Sequence, residues 1–145
     1  MAYATQADIV TLYSEDALYV ADRDGDGVAD ADAITRALSS ASAEIDSHLA
    51  VRYKLPLQEP PETLVQYCVD IALYRLASSR DVLSAEHRTR YEDALKALKD
   101  IGAGRAALVF PGGADGDDPE EPTGPRPIVS HGPEREFTRD KMKGL

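Results

Sequence analysis

The chain has no tryptophan, one cysteine, two methionines and two phenylalanines, and its 26 aspartates and glutamates outnumber 16 lysines and arginines, for a formal net charge of -10. Each shortage excludes a class of function. With Cys68 as the lone cysteine, neither an intramolecular disulfide nor a cysteine-built zinc cluster can form. Too few bases are present for a sequence-independent grip on DNA or RNA, which works by neutralising phosphates. Arg36 and Arg52 stand alone and Arg75, Arg80, Arg88 and Arg90 are interleaved with acids, so a basic recognition helix is not expected. No apolar run approaches the ~18 residues of a membrane span, and Met1 to Asp8 lacks the basic start and apolar stretch of a signal peptide. A protein made and kept soluble, with no membrane role, is the expectation.

Catalytic constellations are equally scarce, since a nucleophile needs a base and an orienting partner. Cys68 falls on an apolar helical face, where a free cysteine acts as a small hydrophobe. His48 follows Glu44 by four residues, the spacing of a surface pair, His87 falls in a first helical turn and His131 in the tail. Gly102-Ala103-Gly104 follows a helix instead of preceding one, so it reads as a stop and not as a phosphate loop. No enzyme is expected.

What is present is enough apolar side chain, 43% of 145 residues, for one helical core. Thr5 with Asp8 opens a short helix carrying Ile9, Leu12 and Tyr13, and a second short turn spans Ala17 to Val20. Ile34, Leu38, Ala41, Ile45 and Leu49 recur at steps of four and three, which predicts one long amphipathic helix from Asp32 to Tyr53. Pro56, Pro60 and Pro61 turn the chain back, with Pro61 starting a second helix that runs to Ser79. Leu64, Cys68, Ile71, Ala72 and Leu76, widened by Val65, Val69 and Leu73, make that helix apolar on several sides and therefore central. Ser84 opens a third, with Tyr91, Leu95, Leu98 and Ile101 inward and Gly102 or Gly104 as its stop. The fold class is mainly α: a small bundle of three principal helices plus a short N-terminal one over residues 1–104, then an extended C-terminal arm over 105–145.

Within the arm, Ala106 to Phe110 reads as a short β-like segment ended by Pro111-Gly112-Gly113. Residues 111–127 hold Gly, Pro, Asp and Glu with almost no apolar side chains, the composition of a solvated linker. Ile128 and Val129, then Arg135, Phe137, Arg139, Lys141, Met142, Lys143 and Leu145, return apolar and basic groups after it. That return marks residues 128–145 as a docking peptide for a partner.

The strongest local motif is Asp22 to Asp30. Asp22, Asp24, Asp26, Gly27, Val28 through its carbonyl, and Asp30 occupy positions one, three, five, six, seven and nine of an EF-hand-type calcium loop. Alternating carboxylates suit a hard cation, but Ala33 stands at position twelve, where a bidentate carboxylate belongs, and Asp32 is one residue out of register. Any calcium site here is expected to be weak. The same residues also serve as tight turns with Asp30 or Asp32 capping the next helix.

Several stretches together resemble a known family. These are Tyr3 to Tyr13, the aspartate loop, Ala43-Glu44-Ile45-Asp46-Ser47-His48-Leu49-Ala50-Val51-Arg52-Tyr53 running on to Leu57, Asp70-Ile71-Ala72-Leu73-Tyr74-Arg75-Leu76, and Phe137-Thr138-Arg139-Asp140-Lys141-Met142-Lys143-Gly144. In that order they are similar to the Mu-like phage and prophage family of small head–tail adaptor proteins, over nearly the whole chain. The resemblance implies a homo-oligomeric, dodecameric ring beneath the portal protein, joining head to neck stopper or tail terminator at the head–tail junction of the virion, after assembly in the host cytoplasm. It implies no active site and no required cofactor, with DNA passing through the lumen unbound. It also implies that the arm reaches the portal or a neighbouring subunit, with Phe137 as anchor and Arg135, Arg139, Lys141 and Lys143 pairing with acidic rims. The rival reading is a calcium-dependent helical interaction module built on the Asp22–Asp30 loop.

Overall fold

A computed structural model describes residues 2–57 and 59–110. The linker at 111–127 and the docking residues Ile128, Val129, Arg135, Phe137, Arg139, Lys141, Met142, Lys143 and Leu145 lie outside the described residues. Helix α1 spans Gln6–Tyr13, a 3-10 helix covers Glu15–Ala21, and three long helices follow: α2 (Ala31–Leu49), α3 (Glu62–Ser79) and α4 (Ala85–Gly102). The protein is mainly helical, as its periodicity requires.

Helix starts follow first-turn chemistry. Thr5 donates its backbone N–H (2.7 Å) and its hydroxyl (2.8 Å) to the Asp8 carboxylate, which closes the start of α1. The Ser84 hydroxyl accepts the His87 N–H at 3.1 Å at the start of α4. Pro61 is the N-cap of α3 and not its first helical residue, a shift of one position. Helix α2 begins one residue before the expected Asp32 and ends four residues before the expected Tyr53. After Leu49 the N–H groups of Arg52 and Tyr53 both turn back to the Leu49 carbonyl, each at 2.9 Å, leaving Val51 exposed and Tyr53 free to pack elsewhere. The Leu55-Pro56 step that follows disfavours helix as well.

Helix α3 packs against α1, the 3-10 helix, α2 and α4, so it is the central element. Leu64, Cys68, Val69, Ile71 and Ala72 on it are fully buried. Helices α2 and α4 bring their C-terminal ends together, and α3 runs between them in the opposite sense. The bundle therefore has two poles. One carries the aspartate loop, the end of α3 and the start of α4; the other carries the ends of α2 and α4.

At the second pole α4 comes closest to α2 at Gly102, where a Cβ would lie 2.7 Å from the His48 carbonyl oxygen. Gly→Ala inside a helix ordinarily stabilises by about 0.5–1 kcal/mol. Backbone cannot yield as a side-chain tip does, so overpacking should win, and Gly102→Ala is expected to destabilise by about 1–3 kcal/mol, read as a lower urea midpoint.

Residues 106–110 form no strand. Among the described residues nothing offers them a ladder, and the Leu108 N–H instead goes to the Tyr53 hydroxyl at 3.1 Å. Leu108 joins the bundle core and Phe110 packs against it. No helix of the described residues is long and apolar enough to cross a membrane.

Candidate functional site: the aspartate loop and the seat of the arm

Polar side chains tie the helices before any site is formed. Tyr13 of α1 donates its hydroxyl to Asp70 of α3 at 2.5 Å, and Gln66 Nε2 bridges to the Tyr13 hydroxyl (2.5 Å) and the other Asp70 oxygen (3.1 Å). Asp70 is buried, and the Arg90 guanidinium lies 4.3 Å from the centre of the Tyr13 ring. Glu44 of α2 receives Arg75 Nη2 at 2.6 Å and the Tyr91 hydroxyl at 3.3 Å, while Tyr91 stacks on Tyr74 with ring centres 4.1 Å apart. Near the N-terminus the Tyr3 hydroxyl donates to Asp46, and its N–H donates to the buried Ser42 hydroxyl at 2.9 Å. Glu44 thus serves Arg75 and Tyr91.

Of the charged residues in these ties, Glu44, Asp46, Asp70 and Arg75 fall in the stretches that carry the family resemblance, and Arg90 does not. The one available signal was Asp70 set among Val69, Ile71 and Ala72, an acid on an otherwise apolar surface.

Burial of the Tyr13 ring, then its bonds to Asp70, push its hydroxyl up to about 12, and burial followed by Asp46 raises Tyr3 further still. The native state therefore holds protons that the unfolded chain releases near pH 10. Stability from these groups is complete below about pH 10 and is lost as pH rises towards 12. Urea midpoints measured between pH 9 and 12 should fall with pH, and Tyr13→Phe should flatten the fall. Cys68 is buried beside Ser42, with sulfur and hydroxyl oxygen 3.4 Å apart; burial holds its thiol above the ordinary cysteine value and so unreactive.

In the aspartate loop the carboxylates of Asp22, Asp24 and Asp26 converge, with one oxygen of each within 4.8 Å of the others. They also satisfy the loop backbone: Asp22 accepts Gly25 N–H (2.7 Å) and Gly27 N–H (3.2 Å), and Asp26 accepts Val28 N–H (2.7 Å). Against a desolvation that would raise it, these amides hold the Asp22 carboxyl below its usual value. Asp30 stands outside the cluster and accepts the Arg23 N–H at 3.2 Å; it occupies the N-cap position of α2 without a side-chain cap bond. Val28 is two-thirds exposed at 67%. Helix α2 begins at position ten of the motif, as in an EF-hand, but its register places Ala33 in the hydrophobic core. A carboxylate at position twelve is incompatible with that core face. The donor set is three carboxylates on an exposed loop.

At the opposite pole the arm has a seat. Gly104 takes φ +78°, the left-handed turn that ends α4. Arg52 Nη1 then donates to the Ala106 carbonyl (3.4 Å), and Tyr53 holds Leu108 and packs its ring 6.1 Å from that of Phe110. Tyr53→Phe removes only the hydroxyl. It should weaken this seat by about 1 kcal/mol, seen as roughly fivefold faster exchange of the Leu108 amide with little change in global stability.

Comparison with protein families matches residues 3–126 to a family described as Bacteriophage Mu, Gp36. Among individual relatives, Mu-like prophage FluMu protein gp36 of Haemophilus influenzae is 39% identical over 75 residues, 52% of this chain and 52% of that protein. Gene product J of Escherichia phage Mu is 32% identical over 107 residues, 72% of this chain and 74% of that protein. The chain thus matches about half the length of the first of these relatives and about three quarters of the second.

Proposed function

Because the chain belongs to the bacteriophage Mu Gp36 family, we propose that it is a structural head–tail adaptor of a tailed phage. Copies form a closed, dodecameric ring beneath the portal protein, at the junction of head and neck, and a neck stopper or tail terminator docks on the far side. The match across residues 3–126 carries this reading. The tied bundle suits it, since a ring subunit needs a stiff body. DNA passes through the lumen unbound, and the net charge of -10 suits a wall that a polyanion slides past. Neither catalysis nor a cofactor enters the role. Residues 128–145 dock on the portal or on a neighbouring subunit. Electron microscopy of particles carrying a labelled version of this chain tests the reading: density at the neck is expected, and density in the capsid shell or tail tip would refute it.

The convergence of Asp22, Asp24 and Asp26 favours a second reading, a calcium-dependent interaction module. Titration calorimetry with calcium decides that one. Heat and a raised melting temperature at micromolar calcium would support it; neither at millimolar calcium would dismiss it.

A further inference from the structure

The pole opposite the arm seat carries a groove of about 500 Å³ that the reading above leaves unused. Leu18, Tyr19 and Val28 supply its apolar side, with Tyr19 52% and Val28 67% exposed, while Glu15, Asp16 and Asp22 supply its charge. No base lines it. Arg80, the C-cap of α3, donates to the Tyr19 carbonyl. Two exposed apolar side chains beside three carboxylates fit a segment that combines apolar groups with an excess of bases. The chain has such a segment outside the described residues: from Arg135 to Lys143, Phe137 and Met142 stand with four bases, Arg135, Arg139, Lys141 and Lys143, against two acids, Glu136 and Asp140.

We propose that this groove receives the segment Arg135–Lys143 of a second copy of this chain, head to tail. The proposal rests on the reading of residues 128–145 as a docking peptide and names the surface on which it docks. Three observations favour a second copy over the chain's own groove. The arm leaves the bundle at the pole of Tyr53 and Phe110, and the groove is at the other, separated by the 19 residues of α2, about 28 Å. Residues 111–125 carry Asp115, Asp117, Asp118, Glu120 and Glu121 and no base. The bundle they would have to run back along is itself acidic, with 18 acids against 11 bases over residues 1–110, so a return along it is opposed by like charge. Extended, residues 111–134 reach up to about 80 Å, ample for a neighbour's opposite pole. A donor at one pole and an acceptor at the other make a heterologous contact, the kind that closes into rings.

Sedimentation of the full chain against concentration tests this with two charge-reversed variants, Glu15→Lys/Asp16→Lys in the groove and Arg139→Glu/Lys141→Glu in the arm. The wild type should self-associate, more weakly at high salt. Each variant should keep the wild-type melting temperature and lose about tenfold or more in self-affinity. Mixed, the two should form a one-to-one complex, because one retains a working arm and the other a working groove. A synthetic peptide of residues 134–145 should compete. Wild type that stays monomeric at all concentrations, or a groove variant that associates as wild type does, overturns the proposal. Either result would leave a neck location in particles untouched, so the two readings fail separately.

Discussion

Chains ending at Pro127 should fold like the full chain and fail to complete particles. The folding half follows from the bundle itself: among the described residues the core is closed by side chains from Tyr3 to Leu108, all of which the truncated chain keeps. A truncation that leaves that core whole is expected to change stability by about 0.5 kcal/mol or less, a shift of a few degrees in melting temperature. The assembly half follows from the docking role, in which Phe137 is the apolar anchor and Arg135, Arg139, Lys141 and Lys143 set register and rate. Complementation of a phage lacking this gene reads the outcome as plaque number. Loss of several orders of magnitude is expected for the truncation, and a smaller loss for Phe137→Ala. Full plaque yield from the truncated chain would make the segment dispensable and the docking role wrong.

The second large effect belongs to Asp70. Its carboxylate gathers the Tyr13 hydroxyl and Gln66 amide under cover of α1, a helix of eight residues, too short to persist by itself. Asp70→Ala strands both donors and opens a small void. It should lower stability by about 2–4 kcal/mol, or roughly 10–20 °C in melting temperature. Asp70→Asn keeps an acceptor and should lose about half as much. Tyr13→Phe should lose about 1 kcal/mol, and the double variant less than the sum, a coupling of about 1 kcal/mol or more that identifies the pair as the link between α1 and α3. Additive losses would mean that α1 is held by apolar packing alone.

Periodicity and caps by themselves determined much of this protein. The three- and four-residue steps from Ile34 to Leu49 can bury their side chains together only on a helix, the breadth of apolar surface on α3 can be satisfied only at the centre, and Thr5-Asp8 and Ser84 close their helix starts with groups three residues away. All of that is local. Tertiary structure alone decided that Glu44 meets Arg75 and Tyr91, Asp46 meets Tyr3 and Asp70 meets Tyr13, because those partners lie 31 to 57 residues away and any solvated acid has the same local pattern. It decided that Ala33 faces the core, which closes position twelve of the aspartate loop to a ligand. It decided the fate of residues 106–110: their β-like composition needs a strand to pair with, and the fold provides the Tyr53 hydroxyl and ring instead. The arm seat and the groove at opposite poles are likewise a product of up-down-up packing, since no residue carries in its own neighbourhood the distance between them.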